Sequence, residues 1–210
     1  MDLQIIMTIF WLISLFASIT VHEFMHAWSA DKLGDPTAKA MGRASLNPIV
    51  HIDPIGTVLL PLFLAISNLP VIGWAKPVQI NPNNFKDYKM GQALTAIAGP
   101  IGNLILILIF SVLFHLLPEK NLFGLFVVTM VNINLILMIF NLIPIPPLDG
   151  SKVLYRFISH EAAAKLEQYG IFILMGFIIF FGFRVIIPIL SFLLDLLNVP
   201  LVGQYVLTYL

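Results

Sequence analysis

The chain has 210 residues, of which 59% are hydrophobic and 10% charged, and its 11 basic residues balance its 11 acidic ones. This composition, with a mean hydropathy of +0.96, indicates an integral membrane protein, and the zero net charge gives no electrostatic case for a nucleic-acid partner. Because cysteine is absent, disulfides, thiolate metal ligands and a cysteine nucleophile are excluded.

The first predicted membrane span is an apolar helix over residues 3–33, followed by the helix-stopping Gly34. Its last third contains the sequence His22-Glu-Phe-Met-His26. On a helix His22 and His26 lie on one face, one turn apart, so that both imidazoles can bind one tetrahedral metal. Glu23 projects beside them, where its carboxylate can take a proton from a metal-bound water. The alternative, three polar side chains that share a helix by chance, conflicts with the cost of ionisable groups in a bilayer.

The region after the first span is predicted to lie at the membrane interface. Residues 37–46 alternate polar and small side chains with a period of two, which predicts short β-strands. The apolar run 55–66 contains Pro61 and is too short to cross about 30 Å, so it is interpreted as re-entrant or interfacial. A further short strand is predicted at Val78–Ile80.

The second half of the chain predicts more helices. A second span over 92–117 and a third over 122–143 are joined by a tight connection at 118–121. Residues 151–168 interleave basic and apolar side chains, as an amphipathic interfacial helix does. A last apolar segment covers 171–197, where Arg184 and Pro188 indicate a kink or break. The predicted fold is an all-α polytopic membrane protein with a three-helix core, a C-terminal hydrophobic segment, short interfacial strands and a re-entrant segment, in a single domain over 1–210.

Asp149 is the best candidate for a third metal ligand, because a catalytic zinc binds three protein ligands and leaves a fourth position for water. It follows a proline-broken helix end, and Gly150 relieves crowding behind it. The alternative is an ordinary helix N-cap for the segment that starts at Ser151.

The distribution of charge supports a topology that brings Asp149 to the histidines. If the chain from Asp31 to Met90 returns to the side it left, spans two and three form a hairpin and Asp149 reaches the membrane face of His22 and His26. Only Lys120 then lies on the opposite side, and the cations that share the metal side are Lys32, Lys39, Arg43, Lys76, Lys86, Lys89, Lys152, Arg156 and Lys165. The positive-inside rule makes that side the cytoplasm.

With these residues in hand, the chain resembles the site-2 protease family of intramembrane zinc metalloproteases over nearly its whole length. The resemblance rests on four motifs, which are His22-Glu-Phe-Met-His26, Gly73-Trp-Ala-Lys-Pro77, Ala98-Gly-Pro-Ile-Gly-Asn103 and the Asn-x-x-Pro-x-Pro-x-x-Asp-Gly signature from Asn141 to Gly150. It implies one zinc per chain held by His22, His26 and Asp149, Glu23 as general base, and single-pass membrane proteins as substrates. The chain has no room for the PDZ or cystathionine-β-synthase domains of larger members.

Two asparagines are further candidates. Asn103 and Asn141 can pair with an unwound substrate or steady the oxyanion, or they can simply hydrogen-bond between helices. The interfacial strands can pair with substrate as an added strand, or form an inert hairpin. His51 is expected to be structural, and His115 and His160 interfacial.

Two other functional classes compete with an intramembrane endopeptidase. A non-catalytic zinc-binding pseudoprotease has no need of Glu23. A metal transporter wants polar clusters at more than one depth of the bilayer, and the sequence shows one such cluster. A compact chain of this kind fits a prokaryotic plasma membrane. The sequence leaves the oligomeric state open.

Overall fold

The computed structural model describes residues 2–60, 63, 66, 67, 76–117 and 121–209. Its α-helices are α1 (Leu3–Leu33), α2 (Thr37–Ala40), α3 (Tyr88–Leu116), α4 (Leu122–Asn141), α5 (Asp149–Leu154), α6 (His160–Phe177), α7 (Phe183–Leu197) and α8 (Val202–Tyr209). The described residues also include short 3-10 turns at Pro48–His51 and Pro82–Asn84 and π-helical turns at Pro54–Leu59 and Ile178–Gly182.

Four helical segments of the described chain are long and apolar enough to cross a membrane. They are α1, α3, α4 and the continuous segment His160–Leu197, in which α6 passes through a π-turn into α7. At 1.5 Å per residue even the 20 residues of α4 extend roughly 30 Å, the thickness of the hydrocarbon layer. The molecule is therefore a multi-pass integral membrane protein, and its three-helix core over α1, α3 and α4 agrees with the predicted spans.

Helix α4 lies at the centre of the fold and packs against α1, α3, α7 and α8. Its first half belongs to an apolar cluster with side chains of α3, α7 and α8, among them Phe114, Leu125, Leu194 and Tyr205. The Tyr205 hydroxyl donates to the carbonyl of Asn121, at the start of α4, with an O···O distance of 2.9 Å. The C-terminal helix α8 is thereby fixed to the bundle at the end remote from Asp149.

Small residues let α1 approach α3 closely. A Cβ atom added to Gly102 of α3 would lie 2.8 Å from Cγ of Met25 and 3.3 Å from Val21 on α1. Lipid gives no hydrophobic drive for helix association, so close backbone packing of this kind stabilises helix pairs in a membrane. The close pairing places the inward face of α1, which includes His22 and His26, directly against α3.

Helix boundaries follow their capping groups. The Asp87 carboxylate accepts the N–H of Met90 at 2.9 Å and begins α3 at Tyr88, four residues before the predicted start of the second span. The predicted interfacial helix over 151–168 is wrong as a single element, because Ser159 caps a new helix through Ala162 N–H at 3.2 Å and divides the segment into α5 and α6. Only the C-terminal half of α6 was predicted to be membrane-spanning.

The predicted β-strands do not form in the described residues. Residues 37–40 are helical instead of extended, and 41–46 are turns and irregular chain. The backbone N–H groups of the segment 76–80 are used elsewhere, since Lys76 donates to the His51 carbonyl at 2.9 Å and Val78 donates to a side chain at 3.0 Å. A strand needs a partner ladder, and here tertiary contacts have taken its donors.

The re-entrant segment predicted at 55–66 has no support either. Its described start is a π-helical turn at Pro54–Leu59, capped by the Asp53 carboxylate, which accepts the N–H groups of Ile55 and Gly56. Residues 61, 62, 64 and 65 lie outside the described part of the chain, as do 73–75 of the Gly-Trp-Ala-Lys-Pro motif and 118–120 of the predicted tight connection.

Candidate metal centre

His22, His26 and Asp149 each bring one ligand atom to a common point. The two Nε2 atoms are 3.0 Å apart, and Asp149 Oδ2 lies 3.1 Å from His22 Nε2 and 3.3 Å from His26 Nε2. A tetrahedral zinc with nitrogen and oxygen ligands at about 2.0–2.1 Å separates its ligand atoms by roughly 3.3 Å. These three atoms are therefore spaced like three corners of one coordination tetrahedron.

The tautomers of the two histidines show that the group suits a cation. His22 Nδ1 lies 2.7 Å from the Asn103 amide oxygen, and His26 Nδ1 lies 2.8 Å from the Thr95 carbonyl oxygen. Both partners are acceptors, so a proton on each Nδ1 satisfies them and leaves each Nε2 facing the other ring and Asp149 Oδ2. Two imidazole nitrogens and a carboxylate oxygen that converge in this way suit a bound divalent metal.

The orientation of the Asn103 amide is fixed by a chain of hydrogen bonds that starts at a backbone group. Asn134 of α4 donates its amide N–H to the Met130 carbonyl and the Ser18 hydroxyl, both at 2.8 Å. Its oxygen therefore accepts the Asn103 N–H at 2.9 Å, which leaves the Asn103 oxygen for His22. Both asparagine side chains are fully buried, so α3 and α4 jointly set the tautomer and the ring orientation of His22.

Glu23 follows His22 in sequence and is not part of the three-residue group that could hold a metal. Its Oε2 accepts the backbone N–H of Val78 at 3.0 Å, and its side chain is half-buried. The irregular segment that contains Val78 thus fixes the position of this carboxylate. Its predicted part as a proton acceptor stays a prediction.

Two glycines make room for the ligand atoms. A Cβ atom added to Gly99 of α3 would lie 2.5 Å from His26 Nε2 and 2.6 Å from His22 Cε1. A Cβ atom added to Gly150 would overlap the backbone carbonyls of Leu142 and Ile143. Both positions therefore exclude any larger side chain, and both adjoin a predicted ligand.

Comparison with known proteins gives the family. The model of Peptidase family M50 matches residues 118–183. A protein of Bacillus subtilis named "Putative zinc metalloprotease YwhC" is 37% identical over 195 residues, which cover 85% of this chain and 84% of that protein. The chain belongs to peptidase family M50. The resemblance to the site-2 protease family that the four motifs predicted is confirmed.

More distant relatives of this M50 chain carry a similar name. "Putative zinc metalloprotease Rip2" of Mycolicibacterium smegmatis is 28% identical over 168 residues, which cover 77% of this chain and 63% of the relative. The protein of the same name from Mycobacterium tuberculosis is 29% identical over 171 residues, which cover 79% and 63%. No solved structure matches the chain.

The structure of this M50 chain places the two candidate asparagines differently. Asn103 has both ends of its amide engaged, one by His22 and the other by Asn134, as its interhelical alternative expects. The Asn141 amide donates to the Leu137 carbonyl of its own helix at 3.0 Å and makes no hydrogen bond to the three ligand side chains. Any part that Asn141 takes in substrate binding stays a prediction.

The remaining histidines of this M50 chain lie outside the site. His51 is buried and its Nε2 is 2.9 Å from the Ser45 carbonyl, while His115 reaches the Leu197 carbonyl at 2.9 Å at the far end of the bundle. The sequence analysis missed Asn134, although three asparagines in so apolar a span were a usable signal. It also missed the Val78 N–H, which no side-chain pattern encodes.

Proposed function

We propose that this M50 peptidase is an intramembrane zinc endopeptidase that hydrolyses peptide bonds within or near transmembrane segments of membrane proteins. The observation that carries the proposal is the convergence of Asp149, at the start of α5, with His22 and His26 of the membrane-spanning helix α1, where Glu23 follows His22 in sequence. The whole chain, 1–210, serves as one membrane-embedded catalytic domain with one zinc.

In this proposal His22 Nε2, His26 Nε2 and Asp149 Oδ2 hold the metal. Zinc bound there supplies the Lewis acidity that lowers the pKa of a water and polarises a carbonyl. Asn103 and the Thr95 carbonyl keep the Nδ1 protons in place, so both rings stay in the metal-binding tautomer. The buried position of both rings excludes bulk water and strengthens the electrostatic interactions in the site.

Glu23 performs the proton transfers. Its carboxylate accepts the proton of the attacking water and delivers it to the amide nitrogen that leaves as the new amine. The hydrogen bond from Val78 N–H to Oε2 orients the carboxylate and leaves Oε1 to take that proton. Glu23 is only half-buried, so water can reach it from the adjoining membrane face.

The substrate must unwind locally before its peptide bond can react, because helical hydrogen bonds shield the scissile carbonyl. The segment 76–80 adjoins Glu23 and is placed to contact the unwound chain. The Val78 N–H is already bound to Glu23, so pairing of substrate with this segment as an added strand has to use other backbone groups. That pairing stays a prediction.

We infer a prokaryotic plasma membrane with the metal site near the cytoplasmic face. The end of α1 at Leu33 and the start of α3 at Tyr88 adjoin each other, since residues of both line one cavity. The cations named in the charge count flank these helix ends and α5, and Lys120 lies outside the described residues. The positive-inside rule supports the cytoplasm as the side of these loops.

The transporter alternative has less support, because the described residues contain a single group that can hold a metal, His22, His26 and Asp149. A transport pathway calls for polar sites at several depths. Measurements of bound zinc and of cleavage distinguish the pseudoprotease alternative from an active endopeptidase.

The test measures bound zinc and cleavage of a transmembrane reporter in the reconstituted protein. Glu23→Gln should retain about one zinc and lose cleavage by at least roughly 100-fold, because general acid–base catalysis contributes about 10²–10⁴-fold. Asp149→Ala should lose both zinc and cleavage, since it removes one of three ligands.

The outcomes separate the candidates. Zinc-loaded wild type that leaves every transmembrane reporter intact favours the pseudoprotease. Undiminished cleavage by Glu23→Gln removes Glu23 as the base, and zinc unchanged in Asp149→Ala removes the third ligand. Unchanged secondary structure by circular dichroism is the control for folding of both variants.

A further inference from the structure

A cleft of about 450 Å³ opens where α3 and α6 begin, and Lys89, Arg156 and His160 line it. Lys89 lies in the first turn of α3, Arg156 lies in the connection after α5, and His160 is the first residue of α6. Since α3 and α6 both enter the membrane here, the cleft lies at the membrane boundary on the side of Asp149. Lipid headgroups occupy this level of a bilayer.

The three cationic or imidazole side chains have donors to spare. Lys89 Nζ makes one hydrogen bond, to the Ile158 carbonyl at 3.0 Å. Within the described residues, the hydrogen bond given for the Arg156 guanidinium goes to the Met90 sulfur, a weak acceptor. None of Lys89, Arg156 and His160 takes part in an ion pair within the described residues.

Two acidic groups lie nearby. Asp87, which also lines the cleft, keeps its charge but accepts the Met90 backbone N–H at 2.9 Å as the cap of α3. Glu167 lines an adjoining cavity of about 120 Å³ and is paired with Lys152. Lys89 and Arg156 therefore outnumber the one carboxylate that lines the cleft, and the cleft keeps N–H donors to spare.

Tyr155 borders the same region. It is 8% exposed, and its hydroxyl lies near the Ser151 and Glu167 side chains. It lines the smaller cavity, which shares the Lys89 and His160 walls of the main cleft.

We propose that this cleft binds a phosphate-bearing anion, with the headgroup of an anionic phospholipid as the favoured source and a soluble phosphate ester as the other. Arg156 offers a planar fork of donors that matches phosphate oxygens, and Lys89 adds a point charge. Basic pockets between membrane helices suit anionic headgroups. Because Arg156 follows α5 and Lys89 begins α3, the bound phosphate joins the end of the helix that carries Asp149 to α3, whose Asn103 and Thr95 contact the two histidines.

The experiment titrates the purified full-length protein with phosphatidylglycerol, and with uncharged diacylglycerol, and counts bound lipid by native mass spectrometry. We expect the double substitution Lys89→Ala/Arg156→Ala to weaken binding of the first phosphatidylglycerol by about tenfold or more. Its matched control is Lys86→Ala/Lys165→Ala. These two lysines are exposed, lie on the same side of the membrane and do not line this cleft. The control protein should therefore bind phosphatidylglycerol like wild type. Arg156→Lys, which keeps the charge but loses the fork, should fall between wild type and the double variant.

Each result of this experiment either supports or overturns the proposed phosphate site. If wild type and the Lys89→Ala/Arg156→Ala protein bind phosphatidylglycerol equally, the proposed site is wrong. If the control variant loses as much binding as the double variant, the lipid is held by unspecific charge attraction, and the proposed site is wrong as well. A melting temperature raised by inorganic phosphate over chloride at equal ionic strength, in wild type but not in the double variant, identifies the soluble ester as the source. None of these measurements depends on peptidase activity. Their outcome therefore tests the phosphate site independently of the proposed function.

Discussion

The α1–α3–α4 interface and the α6–α7 segment are similarly apolar in sequence. They differ in how much of each is buried and in which side chains are enclosed. In α4, 67% of the most apolar stretch is buried inside the protein, whereas in His160–Leu197 the share is 17%. The interface encloses Ser18, Asn103 and Asn134 at full burial. The outer segment instead exposes Phe172, Phe180 and Phe183.

This difference shows at which positions a membrane span can contain polar side chains. A polar side chain in a span is stable only with partners, and partners exist where helices touch one another. In this chain every polar step from Met130 through Asn134 and Asn103 to His22 is hydrogen-bonded. The interface is thus specific in orientation and distance, while the outer segment needs only to be apolar.

Replacing one glycine in each region tests this contrast most directly. Gly99→Ala should lower zinc affinity by about 100-fold or more, because the new methyl group would lie 2.5 Å from His26 Nε2. Loss of a group that merely orients a metal-binding histidine already costs about 10–100-fold. Gly176→Ala in α6 meets nothing within 4 Å and is the matched control. Zinc content after dialysis against a graded chelator measures both variants, and equal retention of zinc would contradict the close approach of α3 to the histidines.

A smaller effect is expected one step away from the metal. Asn103→Leu should lower zinc affinity by about 10–100-fold, since His22 Nδ1 loses its acceptor and the ring its fixed tautomer, and Asn134→Leu should act in the same direction more weakly. Asn132→Leu is the control, because Asn132 is buried in α4 but donates to the Val128 and Pro200 carbonyls, outside the hydrogen-bond chain from Asn134 through Asn103 to His22. Equal loss of zinc in all three variants would refute the role of that hydrogen-bond chain.

The sequence predicted the interface better than its surroundings, for physical reasons. Helical periodicity places His22 and His26 on one face, and proline-broken backbone at Asp149 restricts the topology. Those signals were enough to group three residues that are distant in sequence. Asn134 was missed because an amide in a span signals a contact without naming its partner.

The connecting segments were predicted worst. The period-two pattern at 37–46 predicted strands, but polarity that alternates around small residues is equally compatible with a short helix and turns, and no ladder partner was available. The contact between Val78 and Glu23 depends on a backbone donor, which every residue except proline has. Such contacts are set by tertiary packing and leave no mark in the side-chain sequence.

A milder test concerns Asp35, which holds the loop after α1 to the loop before α3. Burial alone would raise the pKa of this carboxyl, but hydrogen bonds from Thr37, Asn84 and the Asn81 backbone hold the pKa below its usual 3.8. A lowered folded-state pKa adds stability that is complete above the unfolded value and is lost as pH falls through the folded one. Asp35→Asn should therefore lower the melting temperature at neutral pH, by the equivalent of about 1.5–3 kcal/mol for a charged hydrogen-bond acceptor.

The acid range supplies the check on Asp35. The difference in melting temperature between wild type and Asp35→Asn should narrow as pH falls below about 3.8. Asp2→Asn, which removes an exposed carboxylate at the other end of α1, is the control for a simple change of charge. A difference that stayed constant with pH would mean that the carboxylate charge is not what joins the two loops.

The smallest effect is expected on the outer surface. Phe180 is 68% exposed in the π-turn between α6 and α7, where lipid tails are as apolar as the side chain itself. Phe180→Leu should leave zinc content unchanged and shift stability by no more than about 0.5 kcal/mol, as surface substitutions do. Differential thermal denaturation in one detergent measures the shift against wild type. A much larger loss would mean that protein, not lipid, covers this face in the native membrane, and the contrast between the two regions would then hold only for the isolated chain.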